Sequence, residues 1–297
     1  MKMMQKKWKW PGYILYGIFL TTGLLYYRFP SDTIKTYLES AVFRANPRII
    51  LSMKGLRPGF PPRVDLENVT ISLKETPQKP LVRAKDMAIM PAVGSFLSGT
   101  YEYHVDAHAY QGDIKGRVCF ERHDMKSPFK ASVTLKGIQV GRHPHLPPLV
   151  GRDVSGVLEG QIDYAGQRDR LIKGAGQGTL VISDGRVELL QPVLGLTSLD
   201  FNRLSMKMVL KDRKIALTDV ELEGGAVKGE LSGTITLRSD FWRSRLDLKG
   251  TMEPLGGILG NIKADASALR FLRQGLKKLN RSFVIRGTFR DPEFKFM

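Results

Sequence analysis

The sequence predicts a mainly β fold with few helices, in which an N-terminal transmembrane helix is followed by a long, curved antiparallel meander sheet. Three observations carry that expectation. Runs of residues alternate between apolar and polar with a period of two, turn-forming pairs fall between the runs, and one uncharged apolar segment stands near the N-terminus. The stretch 227–237 shows the alternation best. Val227, Gly229, Leu231, Gly233, Ile235 and Leu237 are apolar or glycine, and every residue between them is polar. Such a period puts one face of a pleated strand in a dry environment and the other in water, which no helix achieves with the same residues.

The 297 residues are 42% hydrophobic and 9% aromatic, enough to build a core. Cys119 is the single cysteine, so no disulfide forms within the chain, and it says nothing about compartment. A formal charge of +17 points to nucleic acid or to an anionic membrane surface as partner. The N-terminus chooses between them. Lys2, Lys6, Lys7 and Lys9 precede an uncharged run, residues 10–27, that Arg28 ends. Trp8, Trp10 and Tyr13 at one end, and Tyr26 and Tyr27 at the other, form two interfacial aromatic belts. The lysine excess places the N-terminus in the cytoplasm. A cleaved signal peptide is the rival reading, but residues 24–30 lack the small side chains that cleavage needs. The expected order is a cytoplasmic basic tail at 1–10, an anchor at 11–29 and an extracytoplasmic remainder, for which nucleic acid is a poor partner.

After the anchor, residues 31–45 place Ile34, Leu38, Ala41, Val42 and Ala45 on one helical face, with Ser31 as its N-cap and Pro47 as its stop. Val64 and Leu66, then Val69, Ile71 and Leu73, alternate with polar residues, and the change of phase at Glu67-Asn68 predicts a bulge or turn. Residues 76–80 read as a loop and 91–99 as a short apolar connector. Residues 101–110 alternate up to Gln111-Gly112, where a turn would pair Ala109 with Ile114, Val105 with Val118 and Asp106 with Arg117. The cluster 141–148, rich in proline, glycine and histidine, separates a first part (30–140) from a second (149–297).

In the second part Asp184-Gly185 is a two-residue hairpin signal that would pair Ile182 with Val187 and Leu180 with Leu189. Gly224-Gly225 would pair Leu222 with Val227. Asp212-Arg213 would pair Leu210 with Ile215 and Met208 with Leu217. Residues 191–199 read as a loop or short helix, 264–279 as a late helix with a basic surface, and 283–289 as a final strand. Gly-x-Leu-x-Gly-x-Ile recurs at 156–162 and 229–235, a weak repeat that suggests a sheet lengthened by adding hairpins.

No catalytic constellation is present: the sequence lacks a nucleophile elbow, a His-Glu-x-x-His pair and a phosphate loop. Gly174, Gly176 and Gly178 open a strand rather than a helix and so offer no dinucleotide site. His104 and Cys119 would make only two ligands, and His143-Pro-His145 has no adjacent partner, so neither a metal nor another cofactor is expected. A non-enzymatic role follows. Sandwich, closed barrel and open trough all remain ways to cover the dry face. In the trough, Leu180, Ile182, Val187, Leu189, Leu222, Val227, Leu231, Ile235 and Leu237 line an apolar groove, and Arg270, Arg273, Lys277 and Lys278 meet anionic headgroups of phospholipid or lipopolysaccharide.

The stretch 171–189, together with Leu199-Asp-Phe201, Leu231-Ser-Gly-Thr-Ile235 and the ending 283–292, resembles the type II secretion system protein N family. Residues 91–116 are similar to the wider AsmA-like group, an apolar connector followed by a strand and a glycine turn. The resemblance implies a single-pass bacterial inner-membrane protein with a periplasmic β domain. It implies an accessory structural role beside other type II secretion subunits and, in the wider group, lipid handling between membranes. It carries no catalytic residues.

Overall fold

A computed structural model describes residues 9–74, 76–122, 127–142, 154–193, 196–225, 227–238, 240–254 and 281–297. The described residues are mainly β, 67% strand, arranged as one long, curved antiparallel sheet. Helix α1 (Lys9–Tyr27) leads into α2 (Ser31–Ala45). There follow β1 (Ile49–Ser52), β2 (Gly55–Gly59), β3 (Arg63–Leu73), β4 (Thr76–Pro91), the short helix α3 (Val93–Leu97), β5 (Tyr101–Ala109), β6 (Gly112–Phe120) and β7 (Pro128–Gln139). The second part supplies β8 (Val154–Gln167), β9 (Ala175–Val193), β10 (Leu196–Lys211), β11 (Lys214–Glu223), β12 (Val227–Thr236), β13 (Arg245–Pro254), β14 (Arg281–Gly287) and β15 (Pro292–Phe296).

From β3 to β15 each strand pairs with the next in sequence, while β1 and β2 share the outer side of β3. The two parts on either side of the 141–148 cluster belong to this one sheet, because β7 pairs with β8, as at Val133 opposite Ile162. The phase change at Glu67-Asn68 is real. Asn68 has φ of +51°, and it separates the half of β3 that pairs with β2 from the half that pairs with β1.

The Asp212-Arg213 turn forms as expected, both residues at positive φ, with Leu210 opposite Ile215 and Met208 opposite Leu217. Three other registers need correction. At Asp184-Gly185 the chain does not reverse: β9 runs straight through, with Asp184 at φ +51°. An Asp-Gly pair supplies the left-handed residue a hairpin turn requires, but an irregularity inside a strand uses the same conformation. Val187 therefore lies between Val154 and Leu199, not opposite Ile182, and Leu180 lies between Gly160 and Met206. At the β5–β6 turn the left-handed residues are Tyr110 and Gln111, so Ala107 faces Ile114 and Asp106 faces Lys115. At Gly224-Gly225 the loop is longer, and Leu222 faces Gly229. The last two shifts are by two residues, which leaves every side chain on its expected face.

Two expected loops are strand: residues 76–80 belong to β4, and 191–193 and 196–199 to β9 and β10. The late helix at 264–279 lies outside the described residues. Helix α2 begins at Ser31 with Pro30 in the cap position, and no side chain caps it. Its Ile34 and Leu38, with Phe29, pack on Leu56, Leu66, Val69, Ala84 and Ala107, closing the N-terminal end of the apolar face.

Candidate functional site

Residues directly opposite in an antiparallel sheet share a face, so the registers can be followed across the whole molecule. One row runs Leu56, Leu66, Met87, Ala107, Ile114, Leu135, Gly160, Leu180, Met206, Val220, Leu231, Gly250, Phe283, Phe296, from β2 to β15. The neighbouring row runs Pro58, Val64, Ile89, Val105, Gly116, Val133, Ile162, Gly178, Met208, Leu217, Gly233, Leu248, Ile285, Phe294. Neither row contains a polar side chain. A third, Tyr103, Val118, Ala131, Tyr164, Gly176, Leu210, Ile215, Ile235, Leu246, flanks them from β5 to β13. The apolar face is thus one strip running the length of the sheet.

The expected groove residues divide accordingly. Leu180, Ile182, Leu222, Leu231 and Ile235 lie in these rows or the one beside them, and Leu237 packs with Ile285 and Phe289 on the buried cluster of Leu217, Val220, Ile235, Leu246 and Leu248. Val227, 2% exposed, continues the same face opposite Pro254. Val187 is beyond the Asp184 irregularity, and the side chain of Leu189 lies outside the described residues. Arg270, Arg273, Lys277 and Lys278 also lie outside them, so the expected headgroup contacts have no position here. Met206, Met208, Phe283, Phe294 and Phe296 belong to the strip but were not among the expected residues. The signal for the last two was the Phe-Lys-Phe alternation after Pro292.

Every described strand belongs to the one sheet, so among the described residues no second sheet covers the strip. Described helices meet the sheet near its start, α2 on β1 and β2 and α3 beside β5. Along one side of the strip an aromatic rail passes from Tyr103 to Phe120 (6.2 Å between centroids), Phe129 (5.7 Å) and Tyr164 (5.5 Å). In a meander, every second connection lies at the same end of the strands. The exposed apolar side chains Phe60, Leu97, Leu171 and Phe241 all belong to connections of that one end. Arg63, Arg170, Arg213 and Arg243 accompany them. On the other face, charged pairs bridge neighbouring strands, Lys207 Nζ to Asp219 at 2.8 Å and Arg117 to Glu102 at 3.2 Å. The Asp219 hydrogen bond holds the Lys207 ammonium above its ordinary pKa of 10.5.

Of the glycines expected to open a strand, Gly176 and Gly178 sit in β9 and Gly174 immediately precedes it. His104 faces Arg117 rather than Cys119, and His108 Nδ1 lies 3.0 Å from Asp113. Among the described residues no three metal-ligating side chains gather. His143 and His145 lie outside them.

Helix α1 occupies the position expected of the anchor. Tyr13, Ile14, Leu15, Tyr16, Leu20, Leu24, Tyr26 and Tyr27 are all exposed on it. Trp10 falls within the helix and Trp8 outside the described residues. Among the described residues, however, no helix is long and apolar enough to cross a membrane. Four tyrosines, three glycines and two threonines dilute the aliphatic content of α1, and the transmembrane helix expected at 11–29 is not found among the described residues.

No family model matches the chain, and no curated protein or solved structure matches it.

Proposed function

We propose that this is a membrane-anchored lipid-handling protein of the periplasm, whose apolar strip receives acyl chains. The observation that supports it is the pair of rows from β2 to β15 without a polar side chain. Apolar surface gains about 25 cal/mol for each Å² withdrawn from water, and acyl chains laid against the rows would supply that cover. The exposed apolar tips and arginines at one end of the strands suit a surface of anionic headgroups. Helix α1 would hold the chain there. Its 19 residues give about 28 Å of helix, close to the ~30 Å hydrocarbon thickness. Its tyrosines are costly in hydrocarbon but favourable at the interface. The N-terminus would be cytoplasmic and the membrane the bacterial inner membrane.

Photocrosslinking in cells tests the lipid reading. A benzophenone amino acid at Leu180 or Leu231 is expected to capture lipid, and the same probe at Thr179 or Ser232 on the opposite face is not. Equal capture at all four positions, or none at any, refutes it.

A second reading is accessory structural service to type II secretion, on the resemblance of 171–189. The charged face favours it, since pairs such as Lys207–Asp219 and Arg117–Glu102 make a surface for protein partners rather than for a substrate. Crosslinking from Lys207 or Lys249 should then recover secretion subunits, and recovery of none counts against it.

A further inference from the structure

Elsewhere on the charged face, cations are matched by carboxylates of neighbouring strands, as Lys207 is by Asp219 (2.8 Å) and Arg57 by Glu67 (3.3 Å). From β10 to β13 the match fails. Lys211 lies directly opposite Lys214, and the row continues through Thr236 and Arg245 to Thr288. Like charges directly opposite destabilise a sheet. Lys214, Thr234, Thr236, Arg238, Arg245 and Arg286 line a groove of about 610 Å³ at this place. The one carboxylate in its lining, Asp247, is engaged by Arg286 Nε at 3.8 Å. Among the described residues, Lys214, Arg238 and Arg245 have no acidic partner. A cleft lined by one sign of charge draws in counter-charge, and an anion seated there relieves the repulsion.

The groove opens at the end of the strands where the exposed apolar tips stand, and one of those tips is joined to it. Arg238 N donates to the Oγ of Ser244, a fully buried residue, at 3.1 Å. The β12–β13 and β14–β15 connections are tied together, Phe289 N donating to Ser244 O (3.3 Å) and Arg290 N to Trp242 O (3.0 Å). Phe241 stacks on Phe289 with 4.7 Å between centroids, meets Trp242 at 6.1 Å, and is still 48% exposed. Aromatic rings settle at the level of bilayer headgroups, and cations beside them meet the anionic surface. A free anion in water would gain nothing from the rings.

We propose that this groove and its aromatic tip dock on anionic phospholipid, with the headgroup phosphate held among Lys214, Arg238 and Arg245. The guanidinium groups offer paired hydrogen bonds to phosphate oxygens, Lys214 a point charge, and the Thr234 and Thr236 hydroxyls further donors. The proposal rests on the lipid reading only for the choice of a lipid as occupant, and the two fail separately.

Trp8, Trp10 and Trp242 are the three tryptophans of the chain, so Trp8→Phe with Trp10→Phe leaves Trp242 as sole emitter at the site. Full-length protein with these changes, in dodecyl maltoside micelles, is titrated with phosphatidylglycerol or phosphatidylcholine brominated in the acyl chains. Phosphatidylglycerol is expected to half-quench Trp242 at a roughly tenfold lower concentration than phosphatidylcholine. Lys214→Gln with Arg245→Gln should remove that preference, and Lys214→Arg with Arg245→Lys should keep it. Lys115→Gln with Lys130→Gln, which removes equal charge elsewhere on the same face, should also keep it. Equal quenching by both lipids, or a preference that survives Lys214→Gln with Arg245→Gln, overturns the proposal. Relief of quenching by millimolar inorganic phosphate, beyond that of chloride at equal ionic strength, would assign the groove to the free ion and overturn the docking. Lipid capture at Leu180 and Leu231 without a headgroup preference at Trp242 would sink the docking alone, and the preference without that capture would sink the strip reading alone.

Discussion

The ring of Phe283 on β14 lies across Gly250 on β13, so close that a β-carbon at Gly250 would stand 2.5 Å from Cζ of the ring. The two are directly opposite in the row that also holds Leu231, and the glycine makes the hollow into which the ring lies. Gly250→Ala should therefore destabilise the protein by about 1–3 kcal/mol, the usual cost of overpacking. With Phe283→Ala as background the penalty should shrink without vanishing, because Glu230 O also stands 2.6 Å from the added carbon. Urea denaturation of the four variants measures the coupling. Additive effects would show that ring and glycine do not share the space.

The β10–β11 turn carries avoidable strain. Asp212 and Arg213 have φ of +47° and +65°, conformations that glycine and asparagine adopt more readily than arginine does. Asp212→Asn with Arg213→Gly should raise stability by up to about 1 kcal/mol and leave the Leu210–Ile215 pairing intact. A lower melting temperature would mean that the Arg213 side chain contributes more than its backbone costs.

The same turn shows what the sequence made legible and what it did not. Alternation identified the strands and their faces, because a face is decided by parity, and a register error of two residues leaves parity unchanged. Hence Leu222, Leu231 and Ile235 share the expected face although the Gly224-Gly225 connection shifts the register by two residues. The kind of connection was harder to read. Asp184 adopts the left-handed conformation that an Asp-Gly pair announces, yet it does so inside β9. Choosing between a reversal and a kink depends on β8 and β10, which pair along both halves of β9 and lie far away in sequence. The full length of the apolar rows was hidden for the same reason. A row collects one residue from each strand, and no local pattern connects Leu56 to Phe296.

Asp163 provides a pH-dependent test on the polar face. Hydrogen bonds from Ser132 first, then from Gln161 and Gln177, hold its carboxyl below the ordinary 3.8, with desolvation acting in the opposite sense. Gln161 Nε2 lies 3.2 Å from the carboxylate. A carboxyl whose pKa is lowered by folding stabilises the folded state above its unfolded value, and that contribution is lost as pH falls through the folded value. Carbon NMR of the Asp163 carboxyl should report a midpoint below 3.8, and Ser132→Ala should move it upward. An unmoved midpoint would remove Ser132 as the main cause.

The anchor reading turns on the middle of α1 rather than on its aromatic ends. Leu20 lies between the tyrosine pairs at Tyr13 and Tyr16 and at Tyr26 and Tyr27, and its side chain is 49% exposed with no described core cluster against it. Replacing it cannot disturb the sheet, so a change in membrane partition reports on the helix alone. If α1 is inserted, an arginine here carries an insertion penalty of about 2.5–3.5 kcal/mol at a helix centre. A helix already diluted by tyrosine, glycine and threonine has little apolar surplus to offset it. Leu20→Arg should thus shift the protein from the membrane pellet to the supernatant after an alkaline carbonate wash, with an unchanged β circular dichroism spectrum. Tyr27→Arg, at the interface, should leave the pellet fraction unaltered. Retention of Leu20→Arg at the wild-type level would show that α1 does not bury its centre in hydrocarbon, and the anchored reading would fall with it.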